Sequence, residues 1–357
     1  MIETQTLPDI RIDTVVESRL PSFDPNHLKF GRQFTDHMFS AEYRDGQWTN
    51  LRIMPYGPLK MSPATSALHY GQSIFEGLKA HKAPDGTPLI FRPEENARRL
   101  NASAVRMKMP KFPEALFLKG LTKLVQLEKG WIPQGEDYSL YLRPFMFATD
   151  EFLGVKPSET YRFLILASPA GSYYTKPVRV KVETHYTRAA SGGTGSAKAA
   201  GNYAGSLYPA ALGQQDGFDQ LIWTDGQEHK YIEESGTMNI AFIIDGTLVT
   251  PALTDSILPG VTRKSVLKIA RQWGLPVEER KISVAELVDA YKSGRLQDAF
   301  GLGTAATLIQ IESITYNGEE FVLPELPSRE ISNRLANYLR RLKRGLEEDT
   351  FNWLLRI

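Results

Sequence analysis

Lys198 stands alone among small residues. From Ala189 to Ser206 the chain reads AASGGTGSAKAAGNYAGS, with no other charged side chain. Small residues let backbone segments or a flat ring approach closely, and glycine permits turns that a Cβ forbids. A lysine amine held in such a setting loses part of its hydration and is available as a nucleophile toward a carbonyl carbon. The nearest other lysines are Lys181 and Lys230, so this is no general basic patch. GGTGSAK matches a phosphate-binding loop only in part, because that loop needs Gly-Lys-Ser/Thr and here Ala197 and Ala199 flank the lysine. Taken alone, the stretch reads equally well as a close-packed turn whose lysine faces water.

Three stretches downstream shift that balance. Glu233-Glu234-Ser235-Gly236-Thr237-Met238-Asn239 ends a strand with carboxylates and turns through hydroxyl and amide groups. Leu258-Pro259-Gly260-Val261-Thr262-Arg263 leads into a helix whose free amides at Val261 and Thr262 suit a phosphate. Phe300-Gly301-Leu302-Gly303-Thr304-Ala305 reads as another glycine-permitted turn with a hydroxyl. Each has a common structural role. Together, an amine, a carboxylate and two phosphate-type turns meet the needs of pyridoxal 5'-phosphate. Its aldehyde takes the amine, its ring nitrogen an acid partner, and its phosphate the amides and hydroxyls.

These groups need elements to hold them. Pro93-Glu94-Glu95 starts a helix that runs through Leu100, Ala104 and Met107 to about Lys108. A second begins at Pro113 and continues through Leu116, Leu121, Leu124 and Leu127 before Gly130. Alternation over Ser139–Arg143 puts Tyr141 and Arg143 on one face of a strand. Residues 161–168, 178–183, 219–224, 231–234 and 239–244 read as further strands. Helices follow from about Thr262 to Trp273, from Ser283, where Glu286 completes a capping box, and from near Ser328 through Ile331, Leu335, Leu339 and Leu342. Asn317-Gly318 signals a hairpin.

At 357 residues the chain is too long for one ordinary core. Pro169 to Tyr174, followed by Pro177, reads as the link between domains. The expected division is a small N-terminal domain over residues 1–172, with residues 1–30 as a lead-in arm. A linker at 173–178 and a larger domain over 179–357 follow. Strands and helices mix in both halves, which predicts an α+β fold. The 42 basic and 41 acidic residues give no electrostatic reason to expect nucleic acid or an anionic membrane as partner. Without cysteine there are no disulfides, thiolate metal ligands or cysteine nucleophiles, and no metal site is expected. No apolar run approaches a membrane span, and MIETQTLPDIRID lacks the pattern of a signal peptide, so a cytoplasmic location is expected.

With these pieces in place, the chain resembles the branched-chain amino acid aminotransferases, of fold type IV among pyridoxal phosphate enzymes. The resemblance rests on Phe34-Thr35-Asp36-His37-Met38, Ala67-Leu68-His69-Tyr70-Gly71 with Phe75-Glu76-Gly77, Tyr141-Leu142-Arg143-Pro144, and Lys198-Ala199-Ala200-Gly201-Asn202-Tyr203. The turns at Glu234, Val261 and Thr304 complete it, in family order from about residue 30 onward. It implies a two-domain architecture, with a smaller α/β N-terminal domain and a larger C-terminal domain carrying a pseudo-barrel sheet. It implies that Lys198 holds the cofactor as a Schiff base and then serves as acid and base. Glu234 faces the ring nitrogen, Tyr203 the ring hydroxyl, and Arg92 the phosphate with Val261, Thr262 and Thr304. Tyr70, Phe75, Tyr141 and Tyr173 are the implied apolar wall. Arg143 meets the distal carboxylate of glutamate, while Thr237 and the backbone at Ala305 hold the α-carboxylate.

The reaction so implied exchanges an amino group between leucine, isoleucine or valine and 2-oxoglutarate. Because Tyr70 in this family reaches the neighbouring subunit's site, a homodimer is implied as well. Some members carry a redox-active cysteine pair after the Gly-Thr-Ala turn; Ala306-Thr307-Leu308-Ile309 stands there, so that regulation cannot operate. D-amino acid aminotransferase and aminodeoxychorismate lyase share the lysine and glutamate. A non-catalytic phosphate- or nucleotide-binding protein is the alternative from another class.

Overall fold

A computed structural model describes residues 7–136, 138–171, 176–305 and 307–357. The chain forms two compact units, Met1–Tyr173 with Leu342–Ile357, and Tyr174–Arg341.

The first unit is built on a sheet that is mostly antiparallel. Its strands run in the order Arg11–Ile12, Gln47–Pro55, His37–Arg44, Tyr161–Ala170, Ser139–Ala148, Leu78–Lys82, Pro88–Phe91, Leu354–Arg356, and Ser73–Phe75 also pairs with Ser139–Ala148. Alternation decides which side chains enter the core. Phe39 and Ala41 of one strand and Phe163 and Ile165 of its neighbour bury with Leu100, Ala104, Leu121 and Leu124 of the helices Pro93–Arg106 and Glu114–Leu127. The first helix stops two residues short of the expected Lys108, which takes a left-handed φ of 54°. The second starts one residue after the expected Pro113, which is its N-cap.

Asp36 and His37 anchor the lead-in arm. The Asp36 carboxylate accepts the Ser18 hydroxyl at 2.6 Å and the Arg19 amide at 3.0 Å. His37 Nε2 accepts the Val15 amide at 2.9 Å, while its Nδ1 meets the buried carboxylate of Glu128. The Thr-Asp-His sequence thus ties otherwise irregular chain to the sheet.

In the second unit six strands close on themselves. The circuit runs Ile232–Ser235, Gln220–Thr224, Val178–Val182, Thr307–Tyr316, Leu296–Gly303, Met238–Ile244 and back to Ile232–Ser235. This is the barrel-like sheet that the family resemblance implies, filled by Val178, Val180, Ile222, Ile240, Phe242 and Ile311 among others. Ser283 caps the helix Val284–Lys292 by accepting the Glu286 amide at 3.0 Å, and Asn317-Gly318 turns the hairpin into Glu319–Val322.

Three local expectations change. Phe300–Gly303 lies in a strand rather than a turn, and the turn begins at Thr304. Gly301 and Gly303 make room for Met238, since a Cβ on either would come within 2.8 or 2.9 Å of that side chain. The small-residue run does not stay a loop, because a helix, Ala200–Gln215, starts two residues after Lys198. Its glycines and internal Pro209 hide it from propensity. The last helix, Glu330–Lys343, starts later than expected, after a short turn at Leu326–Ser328.

The larger domain, drawn to residue 357 from the sequence, differs at its end. Leu354–Arg356 pairs with Pro88–Phe91, so residues 342–357 belong with the first unit. Backbone pairing decides this, and three residues carry too little pattern to show it.

That return buries Lys343 in the first unit. Burial, with the charge of Lys79 beside it, draws the Lys343 amine from its ordinary 10.5 down to about 7. Burial likewise draws Lys79 down to about 8. The unfolded chain keeps both protons to about pH 10, so unfolding takes up protons between about pH 7 and 10 and stability rises with pH there. Lys343→Met is expected to raise the Tm at pH 7 by about 2–4 °C and to flatten that rise. Melting curves at pH 7 and 9.5 check it; an unchanged Tm at pH 7 would contradict the account.

Candidate active site

Lys198 is half-buried, and its Nζ donates to the Tyr203 hydroxyl at 2.8 Å. Tyr203 sits in the first turn of the helix Ala200–Gln215, so helix geometry places a phenol against the amine that precedes it. The loop carrying Lys198 is held from several sides. The Asn202 side-chain amide donates to the carbonyls of Thr194 at 2.8 Å and Ala197 at 2.9 Å. Asp255 accepts the Gly192 amide at 2.6 Å through its side chain and the Ser196 amide at 2.8 Å through its carbonyl. Gly195 packs so tightly on the Ser256 carbonyl that a Cβ would lie 2.5 Å from its oxygen. That glycine therefore serves backbone-to-backbone approach.

Glu234 is buried at the end of Ile232–Ser235. Its Oε1 accepts the Leu258 amide at 2.7 Å, and its Oε2 lies 3.1 Å from Arg188 Nε. Burial pushes the Glu234 carboxyl up, opposed first by the Arg188 guanidinium, then by the Leu258 amide and the charge of Lys198. Arg188 in turn donates to the carbonyls of Gly195 at 3.0 Å and Ser256 at 2.8 Å. One guanidinium thus links the acid to the loop that carries the amine.

Asn239 extends the link by donating to the Leu258 carbonyl at 2.8 Å. A Cβ at Gly260 would fall 1.9 Å from the Asn239 carboxamide oxygen, so glycine alone fits there. Gly260 is the N-cap of Val261–Gln272, whose first residues Val261 and Thr262 are buried. The first-turn amides lack partners within the helix and suit an anion. Thr304 and Ala305 follow the strand Leu296–Gly303, and Thr237 is exposed at the turn between Ile232–Ser235 and Met238–Ile244.

Other expected residues lie in the first unit. Arg143 stands 4.7 Å over the Phe75 ring and donates to the Tyr141 hydroxyl at 2.9 Å. The face shared by Tyr141 and Arg143 is the one alternation predicts. Tyr70 ends the short helix Ser66–Tyr70, is 43% exposed, and donates to the Leu153 carbonyl. Arg92 is buried with a left-handed φ of 50°, its guanidinium 4.5 Å over Trp353 and 3.5 Å from Glu95. Tyr173 lies outside the described residues.

Residues 73–314 match the family model for the amino-transferase class IV family. The chain belongs to that family. Class IV aminotransferases depend on pyridoxal 5'-phosphate. The chain is 47% identical over 352 residues, 98% of its length, to the branched-chain-amino-acid aminotransferase 2 of Bacillus subtilis, and covers 97% of that relative. The branched-chain aminotransferase of Thermoproteus uzoniensis, solved with norvaline, superposes with a TM-score of 0.74 at 27% identity, covering 90% of this chain and 99% of that one. The Escherichia coli branched-chain amino acid aminotransferase superposes with a TM-score of 0.73 at 26% identity, covering 89% and 98%.

The donors in the second unit of this aminotransferase fit the cofactor chemically. They comprise an amine with a phenol beside it, a buried carboxylate paired with a guanidinium, and a helix N-terminus behind a glycine no larger residue can replace. Sequence reasoning missed Arg188, Asn239 and Gly260 as the supports of these groups. Arg188 and Gly260 had a visible signal, since Arg188 adjoins the small-residue stretch and Gly260 lies within the one from Leu258 to Arg263. Asn239 is the amide that closes the singled-out stretch from Glu233, but its pairing with the Leu258 carbonyl depends on a segment nineteen positions away.

Proposed function

We propose that this aminotransferase works through Lys198 as its catalytic amine, with Glu234, Tyr203, Arg92, Val261, Thr262 and Thr304 holding pyridoxal 5'-phosphate. The reaction is reversible transfer of the amino group of leucine, isoleucine or valine to 2-oxoglutarate, giving branched-chain 2-oxo acids and glutamate. Neither the same-fold alternatives nor the non-catalytic binding protein finds support among the relatives. The observation that carries the reading is the Lys198 amine against the Tyr203 hydroxyl, in the unit where Glu234 is locked by Arg188.

When bound, the cofactor supplies an electron sink for the bond broken at the substrate's α-carbon. Lys198 would take the α-proton of the amino-acid donor in one half-reaction and deliver a proton to the α-carbon of the 2-oxo acid acceptor in the other, with Tyr203 keeping the amine in place between transfers. Glu234 would be the acid partner of the ring nitrogen, and Arg188 orients that carboxylate and opposes the effect of burial on its charge. Phe75 and Tyr141 offer apolar surface to branched side chains, and Arg143 offers its guanidinium to the distal carboxylate of glutamate. Tyr70, Tyr173, Thr237 and Ala305 complete the proposed substrate contacts.

Small-molecule substrates are the partners; a homodimer in the cytoplasm, with no nucleic-acid or membrane partner, belongs to the same proposal. The exposed Tyr70 and Leu68 on one short helix support an intersubunit contact. Among the described residues no helix is long and apolar enough to cross a membrane.

The test is spectroscopic and kinetic. Purified protein should show a visible absorbance band that borohydride removes, leaving a mass increase on the peptide containing Lys198. It should transaminate L-leucine, L-isoleucine and L-valine with 2-oxoglutarate. A band with label on another lysine, or activity on D-alanine alone, would overturn the assignment.

A further inference from the structure

A buried ion pair in the first unit has no part in the roles assigned so far. Glu76, with no solvent exposure, meets Arg99 through two parallel bonds, Nε to Oε1 at 2.7 Å and Nη2 to Oε2 at 2.8 Å. Oε2 also accepts the Asn96 side-chain amide at 2.8 Å and the Gly77 amide at 3.2 Å. Asn96 donates further to the Gly77 carbonyl at 3.3 Å. Arg99 and Asn96 are three positions apart on the helix Pro93–Arg106, and so lie on one face of it.

The pair sits where the sheet ladder is interrupted. Ser73–Phe75 pairs with the long strand up to Phe75↔Phe145, and pairing resumes at Leu78↔Leu142. Glu76 and Gly77 lie between these registers, held on the strand side by the Glu76 amide donating to the Pro144 carbonyl at 2.7 Å. This gap carries two substrate-facing contacts. The Phe75 ring lies 4.7 Å from the Arg143 guanidinium, and a Cβ on Gly77 would come within 2.3 Å of the Tyr141 hydroxyl. A small shift of the segment would move an aromatic face away from Arg143 or press backbone into Tyr141.

A two-pronged guanidinium–carboxylate pair fixes direction as well as separation. Buried pairs contribute little stability compared with apolar residues of the same size, so orientation is their better-attested use. We infer that Glu76 and Arg99 form a positioning pair that sets Phe75 and Gly77 against Arg143 and Tyr141. It thereby governs how well the enzyme accepts dicarboxylate substrates relative to branched-chain ones. The inference rests on the reading of Arg143 as partner of the distal carboxylate.

The test uses the cofactor-loaded enzyme and compares half-reactions. The double variant Glu76→Met with Arg99→Met removes both charges while keeping volume. It is expected to raise the KM for 2-oxoglutarate and glutamate by about tenfold, with the KM for L-leucine moving less than about threefold and kcat nearly unchanged. Arg99→Lys keeps the charge without the fork and should move the same ratio in the same direction, which carries the test should the double variant not fold. A merely structural pair would lower Tm or the active fraction and leave the KM ratio alone; that result overturns the inference. Arg143→Gln separates the two readings. If it leaves the 2-oxoglutarate KM unchanged, the reading of Arg143 fails and the positioning role with it. If it raises that KM while neither Glu76 nor Arg99 variants do, only the positioning role fails.

Discussion

Lys198→Ala is expected to lower transamination of L-leucine by at least about 10³-fold, the scale of losing a positioned acid–base group. The same variant should bind the cofactor without forming a bond that borohydride can fix. Lys198→Arg is expected to be as inactive as alanine. It keeps a cation near Tyr203, but a guanidinium does not give up its proton at working pH. Small added amines such as methylamine should restore part of the activity of Lys198→Ala, because Gly195, Thr194 and Asn202 hold the loop independently of the lysine side chain. Rates with leucine in both variants, with and without amine, decide the matter. Residual activity within tenfold of the parent in Lys198→Ala would remove this residue from the mechanism.

The second large effect is expected at Glu234. Glu234→Gln keeps the shape of the side chain and its bond from the Leu258 amide, but removes the charge facing Arg188. An activity loss of about 10²- to 10³-fold is expected, similar to removing one preorganised electrostatic partner. Arg188 is itself buried, its side chain 7% exposed, and is left without that counter-charge. The variant should therefore also unfold at lower temperature, since breaking a buried pair costs about 3–5 kcal/mol. Adding Arg188→Met should restore much of the Tm without restoring the rate. A double variant that regains both would mean that Glu234 serves only to neutralise Arg188.

How much of this was legible from the residues differs from place to place. Lys198 stood out as the candidate amine because a single charge in a run of small residues is rare and chemically pointed. Tyr141 and Arg143 were legible as neighbours because strand alternation puts positions two apart on one face, and the structure joins them by a hydrogen bond. Ser283 was legible as a cap because its hydroxyl and the Glu286 amide lie at a fixed local spacing. In each case the information is carried within a few residues.

The errors came where contacts are remote. Phe300–Gly303 has the composition of a turn, yet its glycines exist to admit Met238, more than sixty residues earlier in the chain. The helix after Lys198 forms against its own weak propensity. Residues 342–357 join the first unit through a pairing with a strand some 260 positions away.

By itself, then, the sequence determined the family, pointed to Lys198 and Glu234 as the amine and acid of the proposed site, and marked several of the local elements, because motif order and short-range periodicity need no partner to be read. Only the tertiary structure decided what holds those groups in place. Arg188 against Glu234, Asn239 against Gly260, and Glu76 against Arg99 are matched between segments brought together by folding. A buried charge is stable only if its partner arrives from elsewhere in the chain, and spacing along one sequence carries no record of that meeting.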